Sequence, residues 1–260
     1  MQTEKAIKHI VNWLSDYATA NGISGFVVGI SGGIDSALTS TLCAKTGLTT
    51  LCVDMPIHQN KAEHNRAQAH IEWLRAEFEN VEAQQLNLTG SFDQLISVLP
   101  EAGNRETTDL ALANTRARLR MSSLYYLAGI RGFLVAGTGN KVEDFGIGFY
   151  TKYGDGGVDI SPIADLTKTE VYRLAEELHI ADSLLQAKPT DGLWGDKRSD
   201  EDQIGATYPE LEWAMQAHEN GKTANDFKGR QQEVFWFMNN VTALIATNGR
   251  LFRCAKFRRL

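Results

Sequence analysis

The segment that most constrains this chain is the turn Gly29–Ser36, which joins an apolar run to a helix-forming run. The apolar run, Phe26–Ile30, is short, rich in β-formers and bounded by glycines, and so predicts a buried strand. The run that follows, Asp35–Lys45, has helical character and ends just before Gly47. Open α/β sheets bind ligands at the carboxyl ends of their strands, so this turn predicts a site as well as a fold.

Strands and helices alternate along the part of the chain before residue 140. Parallel strands with helical crossovers are the simplest solution, because each crossover needs a dozen or more residues. The continuous apolar strands need cover on both faces. The sequence therefore predicts an α/β fold, a three-layer sandwich with a mostly parallel, twisted sheet. The predicted strands are 26–30, 48–54, 81–88 and 132–137, and the predicted helices are 2–20, 35–45, 60–77 and 107–128.

The character of the chain changes after Gly137. Residues 138–166 are predicted as a glycine-rich loop, and 167–179 as a helix with Thr167 at its N-cap and Glu170 three residues on. Residues 186–206 are predicted as a long polar loop, and loops of that length are uncommon unless they are functional, often as lids. Two closing helices are predicted at 211–218 and 231–246.

Composition limits the class of protein. The 260 residues, 43% of them hydrophobic and 22% charged, suffice for one sizeable core, so we predict a single domain over 1–260. The three cysteines, none of them in a CxxC pair, exclude a disulfide scaffold and argue against structural zinc. No apolar run approaches the roughly 20 residues of a membrane span, and the N-terminus lacks a signal-peptide core. We therefore expect a cytoplasmic protein with no membrane partner.

The net charge of −6 is unevenly distributed. The last eleven residues carry five basic side chains and no acidic one, which leaves 21 basic against 32 acidic residues in the body. An acidic body disfavours a nucleic-acid surface. Two interpretations of the basic tail, which includes Lys256 and Arg258, stay open: a solvated chain end, or a segment that folds back onto an anionic ligand.

The residues of the turn suit phosphate binding. Gly32 and Gly33 lack Cβ atoms, so several backbone N–H groups can converge on an anion, and the following helix adds its dipole. Ser31 and Ser36 supply hydroxyl groups. A carboxylate at Asp35 repels phosphate unless a cation lies between them, and Mg²⁺ is the natural bridge.

The turn resembles the SGGxDS pyrophosphate loop of the ATP pyrophosphatase superfamily. The rest of the chain resembles the ammonia-dependent NAD synthetases of that superfamily over nearly its full length, which implies an adenine nucleotide α-hydrolase-like fold. The resemblance rests on the ordered strings NTRARLRM with LY (114–125), GTGNKVE (137–143), TKYGDGGVDI (151–160), LTK (166–168) and PTDGLW (189–194).

The resemblance implies roles for individual residues. Asp35 and Glu143 match magnesium ligands, Lys168 and Asp155 match residues that act in catalysis, and Asp155 matches a position near the incoming ammonia. The implied ATP contacts are Gly29, Ile30, Ser31, Gly32, Gly33, Ile34, Asp35, Ser36, Thr138, Lys168 and Thr190. The implied contacts to deamido-NAD are Arg118, Tyr125, Lys152 and Asp159.

Four of these residues have a plainer structural alternative. Glu143 can be a helix-start carboxylate stabilised by the dipole, and Lys168 a solvated lysine in a first helical turn. Tyr125 can be a core tyrosine, and Asp155 part of a glycine-rich turn.

The resemblance implies a reaction in which the nicotinate carboxylate of deamido-NAD attacks the α-phosphorus of ATP, and ammonia then displaces AMP to give NAD. It also implies a homodimer with substrate sites at the interface, and no attached glutaminase domain. Three other functions compete with this one: a tRNA-modifying ATP pyrophosphatase, the synthetase half of a GMP-forming amidotransferase, and an ATP sensor without turnover. The acidic body and scattered cysteines disfavour the first, and the TKYGDGG string disfavours the second. A sensor has no need of Asp35, Glu143 and Asp155 together.

Overall fold

Four parallel strands form the sheet at the centre of the chain, in the order β3-β2-β1-β4. The computed structural model describes residues 2–100, 104–190 and 199–247. Every strand pair is parallel, with Val27 opposite Leu51 on one side of β1 and opposite Val135 on the other. The prediction of an α/β fold with a mostly parallel sheet is confirmed. The strands are β1 (Gly25–Gly29), β2 (Thr49–Asp54), β3 (Val81–Gln85) and β4 (Leu134–Val135).

Helices connect the strands and close the chain. A π-helix, Lys141–Ile147, follows β4, and a short 3-10 helix covers Ala224–Asp226. The α-helices are α1 (Thr3–Ala20), α2 (Ile34–Ala44), α3 (Lys61–Glu77), α4 (Thr89–Ser97), α5 (Arg105–Arg131), α6 (Lys168–Glu177), α7 (Asp182–Leu185), α8 (Asp200–Ile204), α9 (Tyr208–Glu219) and α10 (Arg230–Thr247).

The two faces of the sheet pack against different helices. Phe26, Val28 and Cys52 point into the larger core, which also takes buried residues from α1, α2, α3 and α6. Val27 and Val135 alternate to the other face, where they meet Leu127 and other residues of α5. Side chains of a strand alternate between faces, so this partition gives the three layers predicted from the strand pattern.

A smaller core lies beside the sheet. It is built from the π-helix, α9 and α10, and its fully buried residues include Val142, Leu211 and Phe235. Thr207 caps α9 in a capping box with Glu210, which fixes where that helix begins. This core matters for the site because the π-helix carries Glu143 and α9 begins at Tyr208.

Two stretches that the sequence predicts as loops contain helices. Residues 138–166 are not loop throughout, because the π-helix lies within them with Asn140 at its N-cap. Residues 186–206 are not loop throughout either, because Ser199 caps the short helix α8. In the part of the chain that the structure describes, no helix is long and apolar enough to cross a membrane.

Candidate active site

The turn between β1 and α2 forms a tight loop with its hydroxyl groups turned inward. Ser31 Oγ and Ser36 Oγ lie 3.0 Å apart, and the backbone N–H of Ser31 donates to Ser36 Oγ at 3.2 Å. Gly33 occupies the N-cap position of α2, where it has no side chain to occupy the first amides of the helix. The loop therefore presents backbone N–H groups, two hydroxyls and a helix N-terminus at one point, which suits an anion.

Helix α3 supports the loop from behind. Gly32 has φ +80°, and a Cβ atom there would collide with the backbone carbonyl of Glu63 in α3. Arg66, also in α3, donates from Nε to the carbonyl oxygen of Gly32 at 3.0 Å. Glycine at position 32 is thus required both by its conformation and by the close approach of a helix.

Lys168 brings together the two carboxylates that the sequence predicted as metal ligands. Its Nζ lies 2.6 Å from Asp35 Oδ2 and 3.0 Å from Glu143 Oε1. The lysine side chain is buried, and both acids are largely buried. Three residues from α2, the π-helix and α6 therefore meet at the carboxyl end of the sheet, around one positive charge.

Burial and charge act against each other in this cluster. Burial alone lowers the pKa of Lys168, but the Asp35 and Glu143 carboxylates outweigh it and raise that pKa, so the ammonium is charged. Burial alone raises the pKa of Glu143, but Lys168 and the Tyr208 hydroxyl bring it below its ordinary value. Burial keeps the pKa of Asp35 above its ordinary value despite Lys168, and the charge of Glu143 adds to that effect.

Asn140 ties the same cluster to the backbone. It is fully buried, and its Nδ2 donates to Asp35 Oδ1 at 3.1 Å. Its Oδ1 accepts from the backbone N–H groups of Val142 and Glu143, each at 3.1 Å. One amide side chain thus orients Asp35 and caps the helix that carries Glu143.

Asp155 lies in a turn that is braced by α5. The backbone N–H of Thr151 donates to Asp155 Oδ1 at 2.9 Å, and the Thr151 hydroxyl donates to Asn114 Oδ1 at 2.7 Å. The Asp155 side chain reaches the open cleft, yet the packed loop replaces much of its surrounding water and raises its pKa to about 6. A carboxylate with that pKa is half-ionised near the pH at which a base is useful.

One cleft collects most of the residues that the sequence singled out. It runs from the loop after β1, past the Lys168 cluster, to the turn that holds Asp155. Asp54, Met55, His64 and Arg120 also line it, from the end of β2, the start of α3 and the middle of α5. The predicted site residues in its wall are Gly29, Ile30, Ser31, Gly33, Ile34, Asp35, Ser36, Thr138, Glu143, Asp155, Lys168 and Thr190.

The four residues predicted to contact deamido-NAD lie on the surface outside the wall of this cleft. Tyr125 donates to Asp159 Oδ1 at 3.0 Å, and Arg118 Nε donates to the carbonyl oxygen of Lys152 at 3.2 Å. Asp159 Oδ2 also accepts from the backbone N–H of Val135 at 2.8 Å. All four are exposed, so Tyr125 does not take the core position that was its plainer alternative.

Sequence reasoning missed two side chains of the cluster. Asn140 stood within a quoted string but received no role, although an Asn directly before a helix start is a readable cap. Tyr208 Oη donates to Glu143 Oε1 at 2.6 Å and lies 3.4 Å from Asp200 Oδ2. The tail with Lys256 and Arg258, and most of the PTDGLW string, lie outside the described residues.

Comparison with known proteins gives a consistent result. The model of the NAD synthase family matches residues 6–249. The NH(3)-dependent NAD(+) synthetase of Carboxydothermus hydrogenoformans is 38% identical over 230 residues, which cover 88% of this chain and 92% of that protein.

Two solved structures resemble the whole chain. The NMN synthetase of Francisella tularensis has a TM-score of 0.83 and 29% identity, covering 99% of this chain and 100% of that one. The NH3-dependent NAD synthetase of Campylobacter jejuni, solved with a nitrate ion, has a TM-score of 0.77 and 25% identity, covering 98% and 100%.

Proposed function

The chain belongs to the NAD synthase family, and we propose on that premise that it is a ligase that amidates deamido-NAD with ammonia, using ATP. The family resemblance read from the sequence is confirmed. The observation that carries the proposal is the meeting of Asp35, Glu143 and Lys168 beside the loop Ser31–Ser36, in the same cleft as Asp155. Such a cleft holds a triphosphate and a second reactant side by side.

The first step is formation of an adenylate. A carboxylate oxygen of the nicotinate ring attacks the α-phosphorus of ATP, and the bond to the bridging oxygen breaks, releasing pyrophosphate. The amides of Gly32 and Gly33, the hydroxyls of Ser31 and Ser36, and the N-terminus of α2 receive the charge that develops on the leaving pyrophosphate. Lys168 moves from the two acids toward the phosphates and neutralises part of that charge. Thr138 and Thr190 contact the ATP from the walls of the cleft.

The second step is amide formation. Ammonia attacks the acyl carbon of the adenylate, and AMP leaves with the former carboxylate oxygen. Asp155 binds the incoming ammonium ion and accepts the proton that it loses. The loop at 148–158, which follows the π-helix and holds Asp155, acts as a lid that keeps water from the adenylate.

Asp35 and Glu143 are the residues that would hold Mg²⁺. Their oxygens converge on one cation, the Lys168 ammonium, which supports their fitness for a metal ion. Within the described residues no group of three or more His, Cys, Asp or Glu side chains is arranged to hold a metal. Two carboxylates suit Mg²⁺, which usually keeps several waters and takes its other ligands from phosphates. When bound, the ion neutralises phosphate charge and orients the triphosphate.

Arg118, Tyr125, Lys152 and Asp159 are proposed as contacts to deamido-NAD at the surface end of the site. Their exposed position is expected for a site completed by a second copy of the chain, so we propose a homodimer. Exposed apolar side chains on α5 support this, because Leu110, Tyr126 and Ile130 are each more than half exposed.

A second candidate substrate has a specific observation in its favour. The solved structure with a TM-score of 0.83 is an NMN synthetase, and the match covers its whole chain. Amidation of the nicotinate mononucleotide uses the same carboxylate chemistry on a substrate that lacks the adenylate half. The two reactions differ only in the nicotinate compound that is amidated, the dinucleotide or the mononucleotide.

The test supplies ATP, ammonium and either deamido-NAD or the nicotinate mononucleotide to the purified chain. We expect NAD, AMP and pyrophosphate in equal amounts, with kcat/KM higher for the dinucleotide. A higher kcat/KM for the mononucleotide assigns the second candidate, and formation of ADP refutes both. Asp35→Ala is expected to abolish pyrophosphate release.

The relatives named as NH(3)-dependent indicate the source of the amide nitrogen. We propose that this chain takes ammonia directly from its surroundings in the cytoplasm. Activity with glutamine in place of ammonium contradicts this part of the proposal.

A further inference from the structure

Tyr208 is a buried side chain of the cluster to which no motif assigned a role. It is 4% exposed, its hydroxyl donates to Glu143 Oε1 at 2.6 Å, and its ring centroid lies 4.9 Å from Lys168 Nζ. One side chain therefore contacts both the carboxylate and the ammonium of the cluster. We propose that Tyr208 is a positioning residue that holds Glu143 by one oxygen and directs its other oxygen toward the metal–ATP complex.

The backbone around Tyr208 is anchored on three sides. Its own N–H donates to Glu201 Oε1 in α8 at 2.9 Å. The preceding Thr207 caps α9 with Glu210, and Arg230 of α10 donates to both oxygens of Glu210 at 2.8 and 3.1 Å. The hydroxyl therefore approaches Glu143 from a fixed direction, because the backbone that carries the ring is held in place.

The hydrogen-bond geometry fits a phenol that donates. Its Oη lies 2.6 Å from Glu143 Oε1, and a carboxylate oxygen can only accept. Lys168 donates to the same oxygen, Oε1, at 3.0 Å. When Lys168 turns to the phosphates, Tyr208 remains as the bond that holds this oxygen. A phenol is suited to that task because it carries no charge to compete with a metal ion.

A tyrosine that merely fills the small core next to the π-helix has different consequences. Loss of its hydroxyl then lowers stability and leaves metal binding unchanged. If the hydroxyl positions Glu143, its loss should weaken metal binding and lower kcat and leave the KM for deamido-NAD unchanged. The inference rests on the proposed function, because Glu143 is proposed there as a metal ligand.

The test uses Tyr208→Phe in the full chain, with Tyr17→Phe in α1 as the matched control. Mn²⁺ is titrated into each protein with α,β-methylene-ATP, and free Mn²⁺ is followed by electron paramagnetic resonance. We expect Tyr208→Phe to bind Mn²⁺ about tenfold more weakly than wild type, the effect of losing a hydrogen bond to a charged group. In turnover with ATP and deamido-NAD, kcat should fall while the KM for deamido-NAD stays within about twofold.

A double-mutant cycle with Glu143→Gln separates positioning from general destabilisation. If Tyr208 acts through Glu143, Tyr208→Phe has no further effect on Mn²⁺ affinity once Glu143 is replaced. Equal Mn²⁺ affinity in wild type and Tyr208→Phe overturns the positioning role and leaves the proposed function standing. Failure of wild type to bind Mn²⁺ with the nucleotide overturns both. Thermal unfolding of each variant checks that the compared proteins are folded.

Discussion

The ammonium group of Lys168 lies 2.6 Å from Oδ2 of Asp35, although 133 residues separate the two in the sequence. Glu143 completes the cluster from a third element. Without nucleotide, the lysine thus compensates two buried carboxylates that would otherwise repel each other. Lys168 is also placed to leave Asp35 and Glu143 when ATP binds, because the phosphates then become partners of its charge.

Removal of this charge should destabilise the chain without nucleotide. We expect Lys168→Met to lower the free energy of unfolding by about 3 kcal/mol at pH 8, since it leaves two partly buried carboxylates without a counter-ion. The loss should be smaller at pH 5, where one of the pair can take up a proton. Urea denaturation at both pH values measures it, with exposed Lys8→Met as the control. An equal loss at the two pH values contradicts this account.

Asn140 offers a test that separates orientation from helix capping. Asn140→Asp keeps the oxygen that accepts from Val142 and Glu143, but it sets a carboxylate against Asp35. Asn140→Ala loses both functions. We expect both variants to lose most pyrophosphate release, because Asp35 loses its donor in each.

The control for the two Asn140 variants is the loss of an ordinary helix cap. Asn104→Ala removes a comparable cap from α5, where Asn104 accepts from the N–H of Thr107, and is expected to cost about 1 kcal/mol with little effect on activity. Urea denaturation and pyrophosphate release are measured on all three. Asn140→Asp with wild-type pyrophosphate release shows that Asn140 does not orient Asp35.

The parts of the fold that the sequence predicted are those governed by local pattern. The glycine-bounded strand before the SGGIDS loop is predicted by its composition. Asp35 and Glu143, predicted as ligands of one metal site, each lie at the start of a helix that follows a parallel strand. Because parallel strands deliver their carboxyl ends to one edge, such residues meet whatever the loops between them do. The plainer alternative for Lys168, a solvated lysine, is wrong because its side chain is buried against Asp35 and Glu143.

Contacts between distant elements were beyond that reasoning. Tyr208 reaches Glu143 only because α9 packs on the π-helix, and nothing in its own neighbourhood in the sequence indicates that packing. The π-helix itself lies in a glycine-rich stretch whose composition favours a loop. Helix α8, by contrast, had a readable signal: Ser199 followed three residues later by Asp202, each bonding the other's backbone N–H.

Protonation of His70 should lower the free energy of unfolding in mild acid. It is buried against Trp73, its Nε2 lies 3.0 Å from Ser40 Oγ, and burial lowers its pKa to about 4 from an ordinary 6.5. Between about pH 4 and pH 6.5, His70 therefore binds a proton in the unfolded chain but not in the folded chain. Stability is therefore lost as the pH falls below about 6.5, by roughly 3 kcal/mol in total once it is below about 4.

The measurement for His70 is urea denaturation between pH 4.5 and 7.5. His70→Gln cannot titrate and keeps a polar group for Ser40, so its stability should depend less on pH over this range. Exposed His9→Gln serves as the control and should follow wild type. If the wild-type and His70→Gln curves stay parallel, His70 takes up a proton equally in the folded and unfolded states.

Asp155 should set the acid limb of the ammonia-dependent step. Its pKa is raised to about 6 by the surrounding protein, and only the ionised form can hold an ammonium ion and accept its proton. We expect kcat/KM calculated on the ammonium ion to be level just above pH 6 and to fall about tenfold per pH unit below it. Asp155→Asn should lower kcat/KM by about a hundredfold at pH 8 and remove the break at pH 6, whereas Asp16→Asn on α1 should change neither. The raised pKa also means that the ionised carboxylate disfavours the folded state above pH 6, so Asp155→Asn should be no less stable than wild type at pH 8. A break at pH 6 that persists in Asp155→Asn assigns the titration to another group and removes the proposed role of Asp155 as base.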